Sequence, residues 1–503
     1  MVHTGDSFDD LVSHARDAHV AVIGGGIAGL VAAHEFAKVG IATTVFEASP
    51  RLGGVIRGAE LGGITVDVGA TSWRADSEAV NSLISELGLQ DCVCAPVVDT
   101  TWICDPAQGW AAPSPQESVL GIPANPWDES VRRIIGWGGT WRAYLDRLRP
   151  PMTIGVARNL GSLVRSRMGA KVHDRLVAPL TFGRFGISPD DVDVDVAAPG
   201  LNGALTRTGS LSGAVSDLRV DHRTAGLSSL EGGMLQLVTA LEQRLRDLGA
   251  RIHTSTTVSG VSRTADGRWR VEFDAESGDA ELVDGDEPVG STSLTASAVV
   301  LAGSRESTER LTRSILPRPL EPAMHPAVLR EIVTMLVDAP ALDAAPRGAE
   351  VYAVPGETGA TTASGVVHQS ARWEWLRRAA GESRHVISVA FDGSADAHPS
   401  LVRGDGDLAE FARGAASDLL GVSLDARHVI AWRRDLFTLE RPSTARGHAE
   451  ESARDRRLVQ GAGTLSVVGA WVAGSGLAKV AADAVEEADR VRRTLLWGAE
   501  GAS

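Results

Sequence analysis

The stretch VIGGGIAGL, residues 22–30, restricts the fold of this 503-residue chain more than any other. The apolar run Val20–Ile23 reads as a buried parallel strand. Gly24, Gly26 and Gly29 then fit G-x-G-x-x-G and lead into an Ala/Leu/Val-rich stretch. Each glycine has a physical reason: a tight turn, close approach of backbone to a pyrophosphate, and close packing of helix on strand. The helix beginning at Ile27 and Ala28 aims its free N–H groups and positive dipole end at the phosphates. A second apolar strand, ATTVFEA, ends at Glu47 and Ala48. That is the ~20-residue distance at which an acid meets ribose hydroxyls. Glu47 would repel a 2′-phosphate, which disfavours NADP.

A chain of this length exceeds one core, so two or three domains are expected. The net charge of −15 argues against nucleic acid as a partner. Cys92, Cys94 and Cys104 form neither CxxC nor a zinc-ligand spacing. An odd cysteine count suggests a reducing compartment, and no metal site is expected. The first residues, MVHTGDSFDDLVSHARDAH, lack the basic and apolar regions of a signal peptide. No run reaches the ~18 apolar residues of a membrane span. A cytoplasmic protein is the expectation.

Beyond Glu47, EASPRLGGVIR places Arg51, Gly53 and Gly54 in an R-x-G-G segment. GITVDVGATSW follows, with Gly69, Ala70 and Thr71. At the other end, LSVVGAWVAGSGLAKVAADAVEEADRVRRTLL reads as strand, glycine turn and long helix. It carries Gly469, Ala470, Trp471, Gly474, Gly476 and the helix start Leu477. A third piece runs from Gly232-Gly233 through an amphipathic helix and Gly249 into a strand to Val258. This ordered series resembles the flavoproteins of the amine oxidase superfamily. The resemblance implies FAD, its pyrophosphate along Arg51 and the glycines, its ring beside residues 69–71. It further implies adenine held by the backbone of Val258, and the helix at Leu477 facing the flavin pyrimidine.

Segments between these pieces are similar to one branch, the protoporphyrinogen and coproporphyrinogen oxidases of haem synthesis. They include VDVGATSWRADSEAVNSLISELGL, VLGIPANP, GSLSGAVSDLR and HQSARWEWL. The resemblance implies FAD- and O2-dependent oxidation of coproporphyrinogen III or protoporphyrinogen IX, releasing H2O2. The flavin carries the chemistry, so no catalytic side chain is expected. Arg74 and Arg184 are the candidates for binding substrate propionates, because a planar guanidinium pairs carboxylates bidentately. The chain departs from the branch at Ala178 and Arg184, at Ala302-Gly303-Ser304, and over residues 438–446 before Gly447-His448. Two alternatives stand beside this reading. One is a flavin amine oxidase, disfavoured because Lys38, Lys171 and Lys479 all fall outside the substrate region. The other is a non-catalytic flavoprotein that binds a porphyrin.

The implied architecture is α/β and α+β. A Rossmann-like FAD-binding domain of the amine-oxidase type would span 18–90, 215–310 and 455–497. A mixed-sheet substrate domain would span 91–114 and 311–454, and a mostly helical insert 115–210. The acidic stretch 274–292 reads as a hairpin tip. The insert is basic, and Trp137, Trp141, Leu145 and Leu148 recur on one helix face. That face either lies on an anionic membrane surface, at the inner side of the cell membrane, or packs into the insert's own core.

Overall fold

The computed structural model describes residues 17–148, 157–221, 226–275, 292–323, 327–356, 363–393 and 404–497. A strand over His19–Ile23, the glycine turn and a helix over Ile27–Ala37 form in turn. Every residue of that helix is buried, including His34 and Glu35, as befits a helix covered on all sides. The sheet covers one side. The long helix Leu477–Trp497 covers another, its Val480, Ala481, Ala484 and Val491 joining Leu30 and Val31 in one core. Each large side chain buried there contributes about 1.5–3 kcal/mol.

The central sheet is wholly parallel, in the spatial order 251–253, 42–46, 19–23, 298–301, 465–467. Ile23 stands opposite Phe46 and Leu301, and Leu301 opposite Val467, so these strands finish at one level. Ala298–Leu301 is buried at every position, as a parallel strand covered on both faces must be. The sheet is complete only when the C-terminal part of the chain returns to it.

The stretch expected to run as one strand to Val258 is broken at Ser255, whose φ is 51°. This residue turns through the left-handed region, and the chain changes sheets there. Arg251–His253 stays in the parallel sheet, whereas Thr256–Arg263 pairs antiparallel with Trp269–Ala275, which pairs with Ser293–Ala296. Residues 276–291, most of the stretch read as a hairpin tip, lie outside the described residues, as do residues 1–16.

A second sheet has seven strands, in the order Val429–Leu439, Val328–Asp338, Arg384–Gly393, Gly365–His368, Glu350–Ala353, Thr101–Asp105, Trp110–Pro113. It is mixed, with one parallel pair where Glu350–Ala353 meets Thr101–Asp105. Helix Asp405–Leu420 covers it with Leu408, Ala412, Ala416 and Leu419. Leu336 and Val386 of this sheet pack with Leu61, Val66 and Val68 of the hairpin Gly58–Leu61/Ile64–Asp67. That hairpin, which leads to Gly69, joins the two sheets.

The helical segments from Glu129 to Asp221 carry their own core, including Ile134, Val164, Leu176, Leu201 and Val215. The expected single helix face is interrupted at Gly136, with φ 68° and ψ 171°, and tightens to a 3-10 turn over Leu145–Leu148. The tryptophans are outside that core. Trp137 is 64% exposed, Trp141 55% and Leu148 74%, because Val131, Ile134, Ile135 and Ala143 fill the inward face instead. Trp127 meets Trp137, Trp141 and Tyr144 edge-on, and Arg132 lies over Trp137. Among the described residues, no helix is long and apolar enough to cross a membrane.

Candidate cofactor and substrate site

Two of the three glycines of the first motif are required by the protein's own backbone, and the third is not. A Cβ on Gly24 would lie 2.8 Å from the Ala302 carbonyl, and Gly24 itself has φ +116°. A Cβ on Gly29 would overlap the Gly24 carbonyl oxygen. The protein's own backbone therefore excludes side chains at both. Gly26 differs: its φ is an ordinary −70°, and a Cβ there meets no atom within 4 Å. The space beside Gly26 is left open at the N-terminus of Ile27–Ala37, which has no side-chain cap. The first N–H groups there, those of Ile27, Ala28 and Gly29, lack intrahelical acceptors. An uncapped helix start with reserved space fits a pyrophosphate.

Glu47 is fixed at the same edge. Its Oε2 accepts the Gly25 N–H at 2.6 Å and its Oε1 the Ser49 N–H at 2.8 Å. Each oxygen keeps capacity for a second donor, such as a ribose hydroxyl. Ala48 beside it is exposed. The Gly53 N–H donates to the Gly25 carbonyl at 2.8 Å, and a Cβ on Gly54 would lie 3.3 Å from the Gly26 Cα. The R-x-G-G segment thus runs along the first glycine loop, with Arg51 exposed. The Thr256 N–H donates to the Glu47 carbonyl at 2.9 Å, which brings the strand of Val258 alongside. Val258 is buried, and its own carbonyl accepts from Arg310 Nη2 at 3.0 Å.

The C-terminal glycines meet this edge from the other side. A Cβ on Gly469 would lie 3.8 Å from the Gly303 carbonyl oxygen, so residues 24, 302–303 and 469 form one continuous rim. Ala470 and Trp471 follow in a short helical turn, Trp471 buried. A Cβ on Gly474 would collide with Ser443, whereas one on Gly476, just before Leu477, meets nothing within 4 Å. The Ala70 N–H donates to the Val55 carbonyl at 2.9 Å, and the Thr71 carbonyl accepts the Ser229 hydroxyl at 2.9 Å. A Cβ on Gly69 would lie 3.3 Å from Phe437 of the second sheet. Arg57 stacks over that ring at 4.8 Å and stands 3.5 Å from Asp435. Sequence reasoning missed this joint: Arg57 carries no local signal that would pair it with residues 435–437.

Asp67, two residues before Gly69, is buried and accepts the Met234 N–H at 3.0 Å. Burial pushes its carboxyl up to about 7 against the opposing hydrogen bonds from Met234 and Leu235.

The two candidate arginines stand in separate settings. Arg74 is largely exposed and grips Asp76 with both prongs, at 3.0 and 2.6 Å. Arg184 lies over the Tyr352 ring at 5.9 Å and 3.5 Å from Glu350. Glu350 is held more closely by Arg372, at 2.8 Å. No hydrogen bond or ion pair joins Arg74 to Arg184 among the described residues.

The family model for flavin-containing amine oxidoreductases matches residues 27–492. The chain belongs to that family. FAD is its cofactor, and the chain is an FAD-dependent oxidase. It is 27% identical over 516 aligned residues to a coproporphyrinogen III oxidase of Propionibacterium freudenreichii subsp. freudenreichii, covering 95% of this chain and 91% of that protein. It is likewise 27% identical to a coproporphyrinogen III oxidase of Mycobacterium tuberculosis (strain H37Rv), covering 91% and 93%. Among solved structures, a protein from Exiguobacterium sp. 255-15 provisionally called a protoporphyrinogen oxidase superposes with a TM-score of 0.78. It is 21% identical and covers 94% of this chain and 98% of that one. Putrescine oxidase shares the fold at a TM-score of 0.61 and 17% identity, covering 94% and 98%.

Proposed function

We propose that this flavoprotein oxidises a porphyrinogen, coproporphyrinogen III or protoporphyrinogen IX, to the porphyrin in haem biosynthesis, with O2 as acceptor and H2O2 released. The observation that carries this reading is the likeness to coproporphyrinogen III oxidases along nearly the whole chain. It takes in the central segments as well as the glycine motifs. Bound FAD supplies the hydride acceptor for the saturated bridges between pyrroles.

The residues of the chain bind and orient. Segments 18–90, 215–310 and 455–497 hold the cofactor, 91–114 with 311–454 hold substrate, and 115–210 form the insert. The rim at Gly24, Gly26, Glu47, Gly53 and Gly476 holds the dinucleotide, and Gly69–Thr71 with Gly469–Trp471 flank the ring. Arg74 binds a propionate: its exposed pair with Asp76 is worth at most about 1 kcal/mol, so a substrate carboxylate can replace that partner. Arg184, on the insert helix Ala178–Phe185, orients a second carboxylate beside Tyr352 of the substrate sheet.

The exposed cluster of Trp137, Trp141, Leu145 and Leu148, flanked by Arg132 and Arg133, rests peripherally on the inner face of the cell membrane. Tryptophan at the headgroup level and arginine toward anionic lipid favour that placement. Initial rates with both porphyrinogens, followed by porphyrin fluorescence and H2O2, test the activity. Turnover of either supports it, and turnover of an amine with neither porphyrinogen active overturns it. Sedimentation with anionic vesicles tests the membrane contact, which Trp137→Ser together with Trp141→Ser abolishes if the reading is right.

A further inference from the structure

Beside Trp471 opens a cleft of about 320 Å3, bordered by Arg305, Thr438, Glu440, Arg441 and His448. Small-ligand sites run from about 300 to 1,000 Å3, so this one suits an arm of a molecule better than a whole tetrapyrrole. Arg441 is only 8% exposed, and none of its three guanidinium nitrogens has a hydrogen-bond partner. His448 Nε2 and Trp471 Nε1, on the same cleft, are also buried and unpartnered. Glu306 also borders the cleft, and the other neighbouring acids are committed elsewhere. Glu309 and Glu451 stand 3.1 and 3.4 Å from Arg305, and Glu440 accepts the Arg305 backbone N–H. Glu451 and Asp191 are near enough to favour the charged Arg441, yet neither hydrogen-bonds it.

Native proteins rarely leave a buried guanidinium without acceptors. Its fork matches the two oxygens of a carboxylate. We propose that Arg441, flanked by His448 and Trp471, forms a carboxylate-binding subsite. The occupant is a propionate arm of the substrate, and only this choice of source rests on the function proposed above.

The test uses the FAD-loaded protein, with flavin absorbance as the check on folding. Binding of coproporphyrin III is followed by fluorescence quenching, and melting is compared in sodium propionate and in sodium chloride of equal ionic strength. For the wild type, propionate raises Tm and coproporphyrin binds. Arg441→Met loses the propionate response and at least tenfold in porphyrin affinity, and without ligand it melts above the wild type. Arg441→Lys recovers part of the affinity. Unchanged porphyrin affinity together with no propionate response in the wild type overturns the proposal. A propionate response that needs Arg441, with porphyrin affinity unchanged, overturns the substrate as source. If the wild type neither binds porphyrin nor oxidises porphyrinogen while the Arg441-dependent propionate response persists, the proposed function fails and the carboxylate subsite stands.

Discussion

The parallel sheet and the seven-stranded sheet face the same joint but build their walls on opposite principles. The parallel sheet offers backbone and reserved space: Gly26 and Gly476 keep open positions, and Glu47 is pinned by two backbone N–H groups. The seven-stranded sheet offers charge that is mostly spent. Arg330 pairs with Asp392 at 2.6 Å, Arg433 with Asp435 at 2.6 Å, and Arg372 with Glu350 at 2.8 Å. A wall of backbone can hold any ligand of the right shape and polarity, so it is shared across a family. A wall of neutralised side chains is selective through whichever charge remains unpaired.

This contrast can be broken most forcefully at Arg372. Its pair with Glu350 is nearly buried on both sides, and removing one partner of such a pair costs about 3–5 kcal/mol. Urea unfolding of Arg372→Met reads that loss; a change under about 1 kcal/mol would show that the charges on this wall are not structurally spent.

Asp67, on the hairpin that joins the two sheets, sharpens the contrast. Its folded carboxyl titrates near 7, against 3.8 for the ordinary group. The raised value stabilises the fold fully below the ordinary one, and this contribution is lost as pH climbs through about 7. The linked free energy is about 4 kcal/mol. Urea midpoints measured from pH 4 to pH 8 fall for the wild type, and Asp67→Asn flattens the slope.

Gly29 and Gly26 separate protein packing from ligand space. Gly29→Ala destabilises the apoprotein by about 1–3 kcal/mol, because its Cβ overlaps backbone. Gly26→Ala leaves apoprotein melting unchanged yet weakens FAD at least tenfold, about 1.4 kcal/mol. Equal effects of the two on apoprotein stability would contradict the assignment of the space beside Gly26. The smallest effect is at Arg74. Arg74→Ala costs at most about 1 kcal/mol of stability, since the pair with Asp76 is exposed, while KM for the porphyrinogen rises and kcat holds.

What the sequence made legible follows the same division. Gly24, Gly26, Gly29 and Glu47 are legible in the sequence, because strand, turn and helix there are set by local backbone geometry. The helix at Leu477 was equally plain. The turn at Ser255 was hidden, since Thr256, Thr257 and Val258 continue the strand-forming character of Arg251–His253. The period of Trp137, Trp141 and Leu145 marked a face but not its environment, which depends on Val131 and Ile135 filling the core opposite. Arg57 against Phe437 and Asp435, and Arg441 among the residues around Trp471, arise from contacts distant in sequence. No spacing within either segment announces them.

The two walls together are proposed to bring a porphyrinogen to the flavin. Anaerobic mixing of the FAD-loaded protein with coproporphyrinogen III or protoporphyrinogen IX tests it most directly. At least one of them is expected to bleach the oxidised flavin absorbance, matched by the appearance of porphyrin fluorescence. Porphyrin binding without bleaching by either porphyrinogen, or bleaching by an amine alone, would contradict it.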